Sequence, residues 1–299
     1  MTAIPQDVAQ TGPEYVRDDA IALWHGDHRI ALKWHRARRR QGDPAFTLAR
    51  MAQGLRLGAS VEIDIQPHAS GGFAILHDAV LERETDGRGH VATSTAGTLR
   101  QLRRRDDCGV VLDEAVCLLE DLPARLPGAG PGPDAVLQLD LKCANAAISP
   151  AHLRGFGALP GALRRHLIIS GMDAQAVRRL AEAAPEVRLG HDPCNEAALT
   201  ALNSAADAEA FVAQALAEQP LARMIYLDIR LILRLDAAGF DIIAAFHDQG
   251  RTVDAYTLKS IDAGALTVAR RLIALRVDQI TTDDPEGLAT ALGRASCGQ

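Results

Sequence analysis

From residue 29 onward the chain alternates short apolar runs with longer amphipathic stretches. Residues 29–34 form the first apolar run. Asp43-Pro44 then predicts a helix, with Asp43 as N-cap and Pro44 in the first turn, ending near Gly58. Residues 61–66 and 73–76 read as strands, and helical patches follow around 95–105 and 113–125. The glycine and proline cluster at 127–133 is a loop, because another apolar run follows at once. Strands at 136–141, 166–170, 187–189, 224–227, 252–256 and 277–280 then alternate with helices starting near 150, 173, 196, 231, 261 and 285.

Short connections between strand and helix demand parallel strands, and about eight such units in about 270 residues predict an α/β fold of the TIM (β/α)8 barrel type in a single domain. Residues 1–27 are expected to pack on the barrel as an extension, 28–293 to form it, and 294–299 to be a tail. No GxGxxG follows the first strand and there is no Walker loop, which weighs against a nucleotide-binding doubly wound sheet.

Composition narrows the class. Hydrophobic residues are 47% and charged residues 23%, the balance of a globular chain, and a formal net charge of −6 offers no general attraction for nucleic acid. No run approaches the roughly 20 apolar residues of a membrane span, and the start of the chain is too polar for a secretion signal, so a cytoplasmic protein is expected. Cys108, Cys117, Cys143, Cys194 and Cys297 are scattered and never paired as CxxC, so free thiols are expected rather than disulfides or a zinc knuckle.

A strand covered on both faces should be almost wholly apolar, and two of these are not. In Val61-Glu62-Ile63-Asp64-Ile65-Gln66, Glu62 and Asp64 share one face; in Leu137-Gln138-Leu139-Asp140-Leu141-Lys142, Asp140 and Lys142 do. Two bare carboxylates about 4 Å apart repel by several kcal/mol at an effective dielectric near 20. An isolated pair is readily explained by buried ion pairing. Three carboxylates on two strands favour one divalent cation, and oxygen donors alone favour Mg²⁺ or Ca²⁺. His35-Arg36 and His77-Asp78 lie just past strand ends, on the face where barrel active sites sit, and suit acid/base chemistry. Glu62, Asp64 and Asp140 with a divalent cation, Arg36 and Lys142 leave one positive charge, which a single phosphodiester neutralises. The expected partner is therefore a small-molecule phosphodiester, with no nucleic acid and no membrane span.

In this order the residues resemble the glycerophosphodiester phosphodiesterases. The similarity is carried by Leu57-Gly58-Ala59, Glu62-Ile63-Asp64-Ile65, Ile75-Leu76-His77-Asp78, the 81–89 stretch Leu-Glu-Arg-Glu-Thr-Asp-Gly-Arg-Gly, Leu139-Asp140-Leu141-Lys142 and Thr281-Thr282-Asp283-Asp284-Pro285. The resemblance implies a metal-dependent barrel hydrolase of lipid metabolism that yields glycerol 3-phosphate and an alcohol. It makes Glu62, Asp64 and Asp140 metal ligands, His35 and His77 the catalytic acid/base pair, and Arg36 and Lys142 phosphate-binding groups.

The chain departs from the family pattern at several points. Ala45-Phe46 replace the Glu-Asn of Pro-Glu-Asn-Thr, Asp140 replaces a glutamate, Ser170-Gly171-Met172 replace Ser-Phe, and Tyr256-Thr257-Leu258-Lys259 replace aromatic-Thr-x-Asn. The rival readings are a lyase stopping at a cyclic phosphate and a weakened phosphodiester-binding barrel. Arg103 to Arg105 are expected on a helix as a solvated face, whereas Arg38 to Arg40 could extend recognition toward extra substrate charge.

Overall fold

The computed structural model describes residues 20–126, 131–202 and 204–296. The 1–19 leader, Cys297 and the first part of the 127–133 loop lie outside the described residues. In chain order the elements are β1 (Ala22–His25), β2 (His28–Trp34), α1 (Leu48–Leu57), β3 (Ser60–Pro67), β4 (Phe73–Ala74), α2 (Ala96–Leu99), β5 (Arg103–Arg105), β6 (Val111–Ala115) and α3 (Leu122–Arg125). There follow β7 (Val136–Leu141), α4 (Pro150–Gly157), α5 (Gly161–Arg164), β8 (Leu167–Gly171), α6 (Ala174–Ala183), β9 (Arg188–His191), α7 (Glu196–Ala201) and α8 (Ala205–Glu218). The chain closes with β10 (Met224–Asp228), α9 (Ile229–Ala237), α10 (Ile242–His247), β11 (Thr252–Leu258), α11 (Ala263–Ala274), β12 (Gln279–Thr282) and α12 (Pro285–Ser296), whose last turn runs into the stretch expected to be a tail.

Strands β2, β3, β7, β8, β9, β10, β11 and β12 pair in that order, all parallel, and the β2 to β3 pairing closes the TIM barrel. β1 doubles back antiparallel on β2, so residues 20–23 are buried against the barrel. β4 pairs antiparallel with the far end of β3 and starts the excursion that carries β5 and β6.

Alternation of polar and apolar positions is far more general than the two strands that announce it. Leu32, Ile63, Leu139, Ile169, Leu227, Val253 and Ile280 are buried toward the helices. Lys33, Glu62, Asp64, Gln66, Gln138, Ser170, Tyr226, Asp254, Gln279 and Thr281 are buried on the other face. The barrel interior is thus a hydrogen-bonded polar column. Lys33 donates to Gln138 and lies 3.2 Å from Asp254, which also accepts from Gln279 and Thr281. Such groups are tolerated in a dry interior because most of them find a hydrogen-bond partner; Asp64 Oδ2 does not. The hydrophobic core lies in the sheet-to-helix layer, in one cluster around β3, β7 and β8 and another around β10, β11 and β12.

Three expected helices are corrected. The helix after β2 starts at Leu48, not at Asp43: the Asp43 carboxylate accepts the amides of Arg39 and Arg40 behind it, at 3.1 and 3.0 Å, and Phe46 has φ +55°. The 95–105 patch is helical only over α2, and 113–125 only over α3 and the short 3-10 turn before it. Between them β5 and β6 form an antiparallel hairpin, because the Asp106 carboxylate takes the amides of Cys108 (2.9 Å) and Val110 (2.8 Å) and Gly109 adopts φ +81°. Arg103 to Arg105 therefore lie on a strand and not on a helix, and Arg104 is buried.

Candidate active site

The parallel register of β3 on β7 sets Glu62 beside Gln138 and Asp64 beside Asp140. Inward alternation then aims all three acids at the C-terminal mouth, and a carboxylate oxygen from each lies within 4.8 Å of the others. Glu62 and Asp64 are buried, at 4% and 1% exposure, and Asp140 is partly open to the mouth.

The cations expected beside them are there. Lys142 donates to Asp140 and sits 3.0 Å from Asp64 Oδ1, while Arg36 Nε is 3.3 Å from Asp64 Oδ2 without a hydrogen bond. The Arg36 N–H donates to Glu62 Oε2 at 2.7 Å. Burial and the neighbouring Asp64 and Asp140 push the Glu62 carboxyl well above its usual range. Burial acts the same way on Asp64, but Lys142 and Arg36 outweigh it and hold that carboxyl low. Desolvation works against the Lys142 ammonium, yet the three carboxylates hold its pKa above that of a free lysine.

His35 follows β2 directly, and its Nδ1 lies 2.6 Å from Asp283 Oδ1, just past β12. Burial lowers its pKa despite that carboxylate, so the ring rests neutral at neutral pH. His77 follows β4, with Nδ1 2.8 Å from Asp78 Oδ1. Arg83 in turn holds Asp78, whose carboxyl falls to about 2, and Glu84 accepts the backbone amides of His77 (2.9 Å) and Asp78 (2.7 Å). Each imidazole thus has one nitrogen fixed by an aspartate and Nε2 left for chemistry. His77 lies near enough to Asp64 to help hold that carboxyl low.

A cavity of about 850 Å³ opens from the trio across the mouth, lined on its far side by Met172, Asp173, Asp192, Cys194, Glu218 and Tyr256. The Tyr256 hydroxyl sits 3.0 Å from both Asp192 oxygens, and burial together with the nearby Asp140 charge raises the Asp192 carboxyl to about 7. Sequence reasoning missed Asp192 and Glu84 as parts of the site, and it gave Asp78 and Asp283 only as members of the motifs around His77 and Pro285, without the imidazole each one holds. Of the arginines after the first strand, Arg38 is paired with Asp107 and Asp283, and Arg39 and Arg40 with Glu286.

The donor set fits a hard divalent cation. All donors are oxygens, they converge at one point, and Asp64 Oδ2 is buried with no hydrogen-bond partner.

Comparison with known proteins converges on one family. The family model described as Glycerophosphoryl diester phosphodiesterase family matches residues 35–287. No curated protein matches the chain. Among solved structures, a glycerophosphoryl diester phosphodiesterase from Parabacteroides distasonis is 17% identical over 95% of this chain and 94% of its own, with a TM-score of 0.64. A glycerophosphodiester phosphodiesterase from Agrobacterium tumefaciens is 21% identical over 87% and 99%, with a TM-score of 0.59. A phosphodiesterase from Oleispira antarctica, solved with the product sn-glycerol-3-phosphate, is 20% identical over 87% and 96%, with a TM-score of 0.60.

Proposed function

The chain belongs to the glycerophosphoryl diester phosphodiesterase family and is a phosphoric diester hydrolase, and from that premise we propose that it cleaves glycerophosphodiesters to glycerol 3-phosphate and an alcohol through the cluster at its β2, β3 and β7 ends. The observation that carries this reading is the convergence of three carboxylates, two cations and two aspartate-backed imidazoles on one rim.

Glu62, Asp64 and Asp140 would hold the divalent cation, Mg²⁺ or Ca²⁺, which when bound polarises a phosphoryl oxygen and offsets charge in the transition state. Arg36 and Lys142 hold the other non-bridging oxygen; both are cations already oriented by Asp64. His35, neutral and fixed through Nδ1, accepts the proton of the attacking water or of a neighbouring substrate hydroxyl at Nε2. His77 delivers a proton to the departing alkoxide, and Asp78 stabilises its charged form.

Leaving-group dependence separates the two roles. 4-Nitrophenolate departs without protonation, so H77A should keep near-wild-type turnover of bis-(4-nitrophenyl) phosphate and lose about 10² to 10⁴-fold on glycerophosphodiesters. H35A should lose on both. Equal losses for the two variants on both substrates would contradict the assignment. Phosphorus NMR of the product decides hydrolysis against a lyase, since only the lyase leaves a lasting cyclic ester.

A further inference from the structure

Two features of the sequence stand apart from the chemistry just described: the Ala45-Phe46 pair, where the resemblance leads one to expect polar side chains, and the arginine run at 103–105. The fold brings them together. Arg104, the middle residue of β5, is 2% exposed, and its guanidinium carbon lies 5.4 Å from the centre of the Phe46 ring. Its Nε and Nη1 have no hydrogen-bond partner, and desolvation lowers its pKa. Burying a guanidinium this completely is costly, and an aromatic face is the kind of partner that offsets the cost in a dry site.

Phe46 is not an ordinary core residue. It has φ +55°, a conformation that L side chains seldom adopt, and its N–H donates to the Arg36 carbonyl at 2.7 Å. Arg36 and Ala37 are also left-handed, at φ +53° and +58°. Arg36 is in turn the residue whose N–H reaches Glu62 Oε2 at 2.7 Å and whose side chain meets Asp64. Three strained non-glycine residues therefore lie in the loop that bears His35 and Arg36, and such strain persists only where the surroundings over-determine it. The same hairpin holds the loop a second time, through Glu114, which accepts the Leu48 N–H at 2.7 Å and starts α1.

We propose that Arg104 is a positioning residue for the active site: buried over the Phe46 ring, it clamps the strained 36–46 loop so that Arg36 keeps its backbone bond to Glu62 and its side chain at the phosphate position. The contact joins a residue of the excursion after β4 to the loop after β2, so the β5–β6 hairpin is part of the catalytic support and not an ornament on the barrel.

The test compares R104M, which keeps volume but removes charge, with R104K, which keeps a cation, and with F46L, which removes the ring. In R104M, amide exchange across residues 35–47 should quicken at least tenfold while β3 and β7 exchange as in wild type. Turnover of glycerophosphocholine should fall about tenfold in kcat with KM within about twofold, R104K should recover most of the loss, and R104M/F46L should be no worse than F46L alone. The turnover arm rests on the hydrolase reading and the exchange arm does not, so each can fail separately. Unchanged exchange in the 35–47 segment, or additive losses in the double variant, would overturn the proposal. Should R104M fail to fold, F46L, which leaves Arg104 in place, carries the same exchange and kcat comparison.

Discussion

The two sides of the barrel mouth are built on different terms. The rim formed by β2, β3 and β7 packs three carboxylates, two cations and His35 into one network, in which nearly every charge has an opposite charge within reach. The rim formed by β8, β9 and β11 carries Asp173, Asp192 and Glu218, an aromatic ring and apolar side chains around open space, with no cation among the described residues that line this side. The first arrangement suits transition-state chemistry, since its groups are fixed before substrate arrives. The second suits discrimination, because an unneutralised carboxylate rejects some ligands and admits others. Mutations on the near rim should act on kcat, and those on the far rim on KM and on substrate choice.

The largest break expected is D64N. It leaves the shape of the near rim intact but removes the carboxylate that both Lys142 and Arg36 address, so activity should fall on the order of 10³-fold for every diester. A loss confined to some substrates would move Asp64 from chemistry to recognition. Next is D192N on the far rim. At pH 8 and above, where the Asp192 carboxyl is ionised, diesters bearing a second anionic group should be poor substrates of the wild type, and D192N should improve kcat/KM for them about tenfold while leaving a neutral-headed diester within about threefold. An equal effect on both would erase the proposed difference between the rims.

Asp78, which backs His77, and Asp192 on the far rim predict opposite responses of stability to pH. Asp78 has a carboxyl near 2 against an ordinary 3.8, so its favourable contacts with Arg83 and His77 stabilise the fold above about pH 4 and are lost as pH falls toward 2. Asp192 has a carboxyl near 7, so folding favours its protonated form, and it subtracts stability as pH rises from about 4 through 7. In chelator, the midpoint of D192N unfolding should decline less than that of wild type between pH 5 and 8, as measured by thermal melts. Parallel profiles would show that Asp192 titrates as a free carboxyl. The smallest effect expected is R40A: its guanidinium is 62% exposed and its partner Glu286 keeps Arg39, so the melting midpoint and turnover should both stay at wild-type values.

The rims also differ in how much of each can be read from residues alone. Glu62, Asp64 and Asp140 betray themselves because acids at alternate positions interrupt runs of isoleucine and leucine, and period two fixes their direction. His35 and Asp283 mark ends of neighbouring strands in the closed barrel, but 248 positions separate them in the chain, and only closure of β12 on β2 makes them a pair. Lys33, Asp254 and Gln279 carry the same alternation as Glu62 in shorter runs, and a rule that barrel strands are apolar on both faces hides them. Asp192 stands just after a weak strand with no periodic neighbour to point it inward. The 95–125 excursion is misread for a physical reason as well: Leu and Arg at helical spacing favour a helix locally, while Asp106 and Gly109 impose a hairpin turn that the tertiary contact between Arg104 and Phe46 then secures.

Phosphorus NMR of glycerophosphocholine incubated with wild type and with D64N, each with chelator and with Mg²⁺ or Ca²⁺, addresses the near rim most directly. The account predicts that the glycerol 3-phosphate signal grows only for wild type supplied with a divalent cation. Product formed at undiminished rate in chelator, or by D64N, would contradict it.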